Sequence, residues 1–185
     1  AGLLEDFVAM AERGKEIDLV RLKRLSGSVK EQVAIGDRIL RNMNRFAHSV
    51  DTPCTVVDLR SLMELTAALA ARLASLKGVK LAVHPDGEKA EVATSPFTMM
   101  NLVWVCLDAA LETVAPGSAL VLCCEQSDGD TVIRIRGDIG SASEGVASPA
   151  GTAESLAADL GVELACSPED GWIEIRMPAA GNGSN

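Results

Sequence analysis

Positive charge is scarce in this sequence. The 185 residues include 17 Lys and Arg against 26 Asp and Glu, which gives a net charge of −9. Nucleic-acid binding depends on clustered Lys and Arg, so this balance argues against a nucleic-acid partner. The basic residues lie mostly between Lys15 and Arg45, interleaved with acids. That pattern is typical of a solvated helix face, with a docking surface as the alternative.

Long apolar runs, export signals and metal-ligand spacings are also missing. No stretch reaches the roughly 18 apolar residues that a membrane span needs, and no basic start precedes an apolar signal segment. The five Cys and two His show no CxxC or zinc-ligand spacing, which favours free thiols in a reducing cytoplasm. The chain begins without Met inside a predicted helix. We therefore expect a cytoplasmic protein, and this chain to be a fragment of a longer one.

The first 50 residues predict a helical hairpin, broken at Arg13-Gly14-Lys15. From Leu22 onward, apolar residues recur with the seven-residue period of a bundle or coiled coil. The short first helix, residues 2–13, cannot cover a helix of about 33 residues, which is roughly 50 Å long. We therefore expect a homodimer with a four-helix bundle. The predicted interface residues are Leu22, Leu25, Val29, Ile39, Leu40, Met43 and Phe46.

After Pro53 the pattern becomes an alternation of strands and helices. Asp58 caps a helix that ends at Gly78, and Ser95 with Pro96 opens a second helix. A turn at 84–87 separates two short strands. The predicted strands are 55–57, 79–83, 90–93, 118–125, 131–136, 162–166 and 171–177, and the last helix is 152–160.

Helices placed between antiparallel strand pairs predict an α+β fold with two layers. The predicted domains are a partial dimerisation hairpin at 1–52 and an α/β sandwich at 53–178, followed by a disordered tail at 179–185. Trp104 and Trp172 are predicted core residues, with a cleft as the alternative for Trp104. In the strand that contains Cys123 and Cys124, the two thiols should point to opposite faces.

Asp108 stands in the middle of the apolar helix NLVWVCLDAALE, with Glu112 one turn later. A lone carboxylate among apolar side chains costs free energy unless it is paired, bound to metal or turned to a cleft. The sequence leaves three roles open for Asp108. It could pair with a Lys or Arg, remain solvated in a shallow cleft, or act as a residual Mg²⁺ or nucleotide ligand.

Three segments together resemble the core of sensor histidine kinases. ILRNMNRFAHSVDTPCTVVDLRSLMEL resembles the end of the dimerisation helices and the start of the ATP-binding domain. EVATSPFTMMNLVWVCLDAALE resembles the segment with the N box helix, and GVELACSPEDGWIEIRMP resembles the closing strands. The resemblance implies a histidine-kinase-like ATPase sandwich after a dimerisation and phosphotransfer hairpin, and a role in two-component signalling.

The nucleotide motifs of that family are eroded here. By the resemblance, Asp108 takes the place of the asparagine that holds Mg²⁺; a carboxylate suits this hard cation, but Glu112 would repel a polyphosphate. Asp138 and Gly140 remain from the first glycine box, although Asp138 could equally be a turn residue. Gly151 remains from the second glycine box, which places backbone N–H groups on phosphates. We expect a vestigial nucleotide site at these four residues, with no ATP and Mg²⁺ binding or only weak binding.

The phosphoacceptor histidine of the family is also missing, because residues 1–13 contain no His. His48, in FAHSVD, lies at the predicted domain junction and is better interpreted as a junction or capping residue. If the intact protein transfers phosphoryl groups, we expect the phosphoacceptor upstream of Ala1.

Three functions remain open from the sequence. The first is a histidine-kinase-like protein with a degenerate ATP site that acts as a dimeric scaffold or phosphotransferase for a response-regulator receiver domain. The second is an active sensor kinase with divergent nucleotide boxes. The third is a non-catalytic binding module with an ATPase-like fold, comparable to anti-sigma kinases that dock a partner. Eroded site chemistry favours the first, whereas family membership alone would suggest the second.

Overall fold

A computed structural model of the chain describes residues 2–14, 18–51, 53–84, 90–127, 129–137, 151–167 and 170–178. The chain forms two compact units, one up to Asn44 and one from Arg45 onward. The division at residue 52 from the sequence stays a prediction. No helix in the described ranges is both long enough and apolar enough to cross a membrane.

The first unit consists of helix α1 (Gly2–Glu12) and most of helix α2 (Leu19–Val50). Asp18 caps α2, because its carboxylate accepts hydrogen bonds from the N–H groups of Val20 and Arg21, each at 3.0 Å. The guanidinium of Arg21 lies 5.9 Å from the centroid of the buried Phe7 ring. These contacts define the start of the long helix.

Helix α2 buries no residue in the single chain. Among the predicted interface residues, Leu22 and Leu25 are half-buried, and the other five are exposed. The exposed fraction reaches 62% for Leu40 and 58% for Met43. The apolar stripe is therefore present as predicted, but its coverage by a second chain stays a prediction.

The second unit contains all the predicted strands and helices that follow Pro53. The elements are β1 (Thr55–Asp58), α3 (Leu59–Leu76), β2 (Lys80–Val83), β3 (Glu91–Thr94), α4 (Pro96–Thr113), β4 (Ala119–Ser127), β5 (Asp130–Gly137), α5 (Thr152–Leu160), β6 (Glu163–Ser167) and β7 (Trp172–Met177). This order of helices and strands confirms the α+β fold class.

The strands form two sheets. A mixed five-stranded sheet has the order β2-β4-β5-β7-β6, and β1 and β3 form a separate antiparallel pair. The predicted antiparallel strand pairs are present, for example β4 with β5 and β6 with β7, whereas β2 pairs with β4 and not with β3, its neighbour in the sequence. β2 runs parallel to β4, with Leu81 beside Leu120, because the crossover through β3 and α4 returns the chain in the same direction. The predicted turn at 84–87 lies, except for His84, outside the described residues.

The core lies between the helices and one face of the large sheet. Strand alternation directs Ile133 and Ile135 of β5 and Ile173 and Ile175 of β7 into this core, and each of them is at most 1% exposed. The helices contribute, among others, Leu59, Met63, Leu102 and Leu107. This packing gives the predicted two layers.

The opposite face of the sheet carries a ladder of ion pairs. Glu174 of β7 lies opposite Arg134 of β5, whose Nε donates to its carboxylate at 2.7 Å, and Arg176 Nη2 donates to the same carboxylate at 2.7 Å. Arg134 also pairs with Glu125 of β4. Glu174 is only 5% exposed, and no described buried side-chain N or O atom lacks a hydrogen-bond partner. The sheet therefore covers its outer face with its own paired charges.

The two adjacent cysteines of β4 point to opposite faces, as predicted. Cys124 belongs to the core, whereas the Cys123 thiol donates to Glu125 on the outer face at 3.4 Å. Burial, with a smaller contribution from Glu125, raises the pKa of the Cys123 thiol. Neither observation indicates a vicinal redox pair.

Candidate functional site

Helix α4 is the element on which the predicted site depends. It begins where expected, since the Ser95 hydroxyl accepts a hydrogen bond from the Thr98 N–H at 3.4 Å and Pro96 occupies the first turn. Its inner face is buried and includes Met99, Leu102, Val103, Cys106, Leu107 and Ala110. Its outer face presents Asn101, Trp104, Asp108 and Glu112.

Asp108 lies exposed on this outer face. No hydrogen bond or ion pair joins its side chain to another part of the chain that the structure describes. The apolar neighbours that surround Asp108 in the sequence point inward, so the carboxylate bears no burial penalty. The sequence left three roles open for Asp108. The first of them, an ion pair with Lys or Arg, is not seen among the described residues.

Glu112 has a partner that the sequence did not reveal. The Lys77 ammonium, beyond the end of α3, pairs with the Glu112 carboxylate and also donates to the Leu111 carbonyl at 3.4 Å. Lys77 thus stabilises the C-terminal turn of α4, where a cation is favoured. A separation of 35 residues hides such a pair from sequence reading. It also means that this ammonium is already occupied by protein groups.

Gly151 precedes α5, which packs against α4. Its φ of 75° is in the left-handed region that favours glycine, and no side chain of the described residues caps the helix. The first N–H groups of α5 therefore have no side-chain cap within the described ranges, which is favourable for an anion. However, the first turn also carries Glu154, whose exposed carboxylate opposes a phosphate there.

The structure brings together the two helices that carry Asp108 and Gly151. Asp138 and Gly140 lie outside the described residues, so their relation to these two stays a prediction. Gly137, the residue before Asp138, is the last residue of β5 and lies against the backbone of β4. A Cβ atom there would lie 2.5 Å from Leu120 Cδ2 and 2.7 Å from the Ala119 oxygen. Only glycine fits this approach.

The elements that would surround a nucleotide carry charge of one sign. Residues 96–113 and 137–160 contain six acidic residues and no Lys, Arg or His. An unpaired carboxylate at about 6 Å from a phosphate charge would oppose it by roughly 3 kcal/mol at an effective dielectric constant of 20, whereas the charge of Glu112 is compensated by Lys77. Glu112 was the acid singled out from the sequence, whereas the lack of Lys, Arg and His throughout both ranges had not been predicted. These residues fit a triphosphate poorly, although Gly151 would suit one phosphate.

A divalent cation would have to compensate for this charge. Within the described ranges, no three His, Cys, Asp or Glu side chains converge to hold a metal ion. Asp108 is thus a single carboxylate on a helix surface, and its predicted role as an Mg²⁺ ligand stays a prediction.

The thiol of Cys106, two residues before Asp108 on α4, has low reactivity. Cys106 is fully buried on the inner face of α4. Burial, together with the neighbouring Cys166 thiol, raises the pKa of Cys106 to about 12. A thiol with such a pKa is protonated at neutral pH and is a poor nucleophile.

Comparisons with known proteins agree with this fold. No protein-family model matches the sequence, and no curated protein matches it either. Solved structures do match. The Acinetobacter baumannii histidine kinase AdeS aligns with a TM-score of 0.58 at 11% identity, over 97% of this chain and 94% of that chain.

Two further structures are similar. The histidine kinase domain of a blue-light activated kinase from Erythrobacter litoralis aligns with a TM-score of 0.53 at 15% identity, over 97% of both chains. The ATP-binding domain of PrrB from Mycobacterium tuberculosis gives 0.53 at 18% identity, over 69% of this chain and 98% of that chain. At such identities the likeness establishes the fold. Residues 55–177 therefore have the fold of a histidine kinase ATP-binding domain, as the sequence resemblance predicted.

Proposed function

We propose that this chain acts in two-component signalling as a dimeric scaffold or phosphotransferase for a response-regulator receiver domain, without the use of ATP by its own sandwich. The observation that carries this proposal is the composition of residues 96–113 and 137–160, which contain six acidic residues and no base; of these acids, Glu112 is paired with Lys77 from outside the two ranges. A histidine kinase has to hold several phosphate charges at this place. The present residues oppose them.

The sequence departs from the family in its nucleotide motifs, whereas the core of the sandwich is well packed. This contrast supports a retained role for the fold. The core around α4 is closely packed, with Leu102, Val103 and Cys106 fully buried, and the outer sheet face is covered by paired charges. A sandwich that has lost its nucleotide chemistry and kept its packing fits a protein selected for docking. Nucleotide binding would be absent, or weak and dependent on Mg²⁺ at Asp108.

The apolar stripe of α2 supports the dimer. Ile39, Leu40 and Met43 are each more than half exposed in the single chain, and their spacing matches a bundle helix. A second copy that covers the stripe would bury these side chains, each worth about 1.5–3 kcal/mol on full burial. We propose a four-helix bundle formed by the hairpins of two chains.

An active kinase remains the second candidate, and one observation favours it. Gly151, with its positive φ, directly precedes the N-terminus of α5, where free N–H groups favour an anion. In that case the phosphoacceptor histidine would lie upstream of Ala1, and Mg-ATP would bind at millimolar concentration or below.

The docking function is tested by sedimentation equilibrium of the chain alone and with a panel of purified receiver domains. The proposal expects a dimer that binds at least one receiver domain, both without nucleotide. A monomer at all concentrations would contradict the bundle. A dimer that binds no receiver domain of the panel, but retains another protein, would favour the non-receiver docking module instead.

A further inference from the structure

A cavity of about 350 Å³ lies where the end of α2 meets β1 and the N-terminal halves of α3 and α4. Every residue of its lining belongs to the second unit. Its volume is that of a small-molecule pocket. The lining has an apolar part and a polar part, and neither the candidate nucleotide site nor the proposed docking function uses them.

The apolar part of the lining belongs to the packed core. Leu62, Leu65 and Met100 are each at most 5% exposed, and the half-buried Val57 packs against the same core. Core side chains hold fixed positions because protein interiors are closely packed. The cavity therefore offers a pre-formed surface to an apolar group. The apolar part of the lining consists of Val56, Val57, Leu62, Leu65, Pro96 and Met100.

The polar part of the lining contains a cation without a charged partner among the described residues. The Arg45 guanidinium carries five N–H donors, and Nη2 donates to the Ser61 carbonyl at 3.2 Å. No carboxylate in the part of the chain that the structure describes pairs with Arg45. The remaining donors suit a carboxylate, which accepts two parallel hydrogen bonds from a guanidinium.

Asp58 is the one acid that the described residues contribute to this lining, and its own helix engages it. Its carboxylate accepts from the Arg60 N–H at 3.0 Å and from the Ser61 hydroxyl at 3.1 Å. It also caps the N-terminus of α3, whose dipole compensates negative charge. The adjacent Arg60 and Glu64 side chains pair with each other. Arg45 is therefore the least compensated charge of the lining, so an anionic group is favoured over a cation.

The proposed dimer would leave this cavity open. In the seven-residue period of α2, Met43 and Phe46 belong to the apolar rows, whereas Arg45 and His48 occupy positions on the outward face of a bundle helix. No residue of the lining is among the predicted interface residues. A second chain that covers the apolar stripe would thus not cover Arg45.

We propose that this cavity binds a small carboxylate with an apolar tail, of the class of a medium-chain alkanoate. The carboxylate accepts from the free N–H groups of Arg45, and the tail contacts Leu62, Leu65 and Met100. This site goes beyond the proposed docking function and does not depend on it, because it needs neither a receiver domain nor a nucleotide.

The test uses hexanoate, its neutral analogue hexan-1-ol and the shorter propanoate as probes at pH 7.5. The reporter is NMR of the chain with ¹³C-labelled methionine methyl groups, in which the Met100→Leu variant assigns the Met100 signal among six Met. We expect hexanoate to shift the Met100 signal with a saturable dependence. Hexan-1-ol should require about tenfold higher concentration because it lacks the charge that Arg45 pairs with. Propanoate should bind at least about tenfold more weakly because it buries three fewer methylene groups.

A pair of matched variants then tests the role of Arg45. Arg45→Gln should weaken hexanoate binding by at least about tenfold and leave hexan-1-ol binding unchanged. Arg38→Gln, two helical turns earlier on the same face of α2 and also exposed, should leave the binding of both probes unchanged.

Three results would overturn the proposal. Equal binding of hexanoate and hexan-1-ol would show an apolar cavity without preference for charge, and unchanged hexanoate binding in Arg45→Gln would remove Arg45 from the site. A Met100 signal that does not respond to hexanoate up to about 50 mM would show that the cavity takes no such ligand. Should Arg45→Gln fail to fold, the comparison of hexanoate with hexan-1-ol in the unaltered chain still decides the charge preference.

Discussion

Replacement of Glu174 by Gln should destabilise the sandwich strongly, because this carboxylate holds two arginines on the outer face of the sheet. It accepts from Arg134 at 2.7 Å and from Arg176 at 2.7 and 3.1 Å, and it is 5% exposed. Hydrogen bonds to charged groups are worth about 1.5–3 kcal/mol each, and breaking a buried pair costs about 3–5 kcal/mol. The arginine side chains are 19% and 30% exposed, so water recovers part of this loss. We expect a decrease of about 2–4 kcal/mol in the free energy of unfolding at pH 7.

The pH dependence gives a second, independent signature. Burial raises the pKa of the Glu174 carboxyl, but the hydrogen bonds and charges of Arg134 and Arg176 outweigh burial, so the pKa lies below the usual 4.5. A lowered folded-state pKa contributes stability that is complete above pH 4.5 and is lost as the pH falls through the folded-state pKa. The difference between wild type and Glu174→Gln should therefore be constant above pH 4.5 and shrink below it.

Urea unfolding followed by tryptophan fluorescence measures both effects, since Trp172 lies two residues away on the same strand. The matched control is Glu163→Gln on the neighbouring strand β6, which is exposed, has no ion pair among the described residues and should change stability by less than about 0.5 kcal/mol. A loss below about 0.5 kcal/mol in Glu174→Gln, or a difference that stays constant down to pH 3, would refute the role of this ladder.

Three further predictions concern other parts of the chain. Ile39→Asp should convert a dimer into a monomer in sedimentation equilibrium, whereas Glu31→Gln on the same helix should not. Gly137→Ala should lower the free energy of unfolding by about 1–3 kcal/mol, because its Cβ would overlap Leu120 and Ala119. Gly27→Ala should instead raise the stability of α2 by about 0.5–1 kcal/mol, because nothing lies within 4 Å of the added Cβ. Equal effects of the two variants on stability would contradict this contrast. Iodoacetamide at pH 8 should label the exposed Cys54 in the native chain and leave Cys106 unlabelled until urea unfolds the sandwich. The reason is that burial raises the pKa of the Cys106 thiol to about 12. Mass spectrometry that finds Cys106 labelled before Cys54 would contradict this prediction.

Local signals explain why the elements were predictable. Asp58 caps α3 by accepting from the Arg60 N–H at 3.0 Å, and Ser95 caps α4, both as their side chains indicate. Gly78, with a φ of 70°, follows the C-cap of α3 as expected. Such caps act over three or four residues, so one sequence is enough to see them.

Long-range pairing explains what the sequence could not reveal. The parallel partner of β2 is β4, separated from it by β3 and α4, and the partner of Glu112 is Lys77. Trp104 and Trp172 were expected in the core, with a cleft as the alternative for Trp104. Both are half-buried, and Trp104 packs against the edge of the core. Phe46, Leu69 and Trp104 line one pocket of the second unit but lie far apart in the sequence, so no short motif predicts this pocket.

Calorimetric titration with ADP and a non-hydrolysable ATP analogue, with and without Mg²⁺, tests the central claim most directly. The account predicts no heat of binding up to millimolar nucleotide from a folded chain, and no gain in the Asp108→Asn variant, because the remaining acids still oppose phosphate. Micromolar binding that requires Mg²⁺, is lost in Asp138→Ala and is weakened in Asp108→Ala would contradict it and establish an ATP-dependent kinase domain.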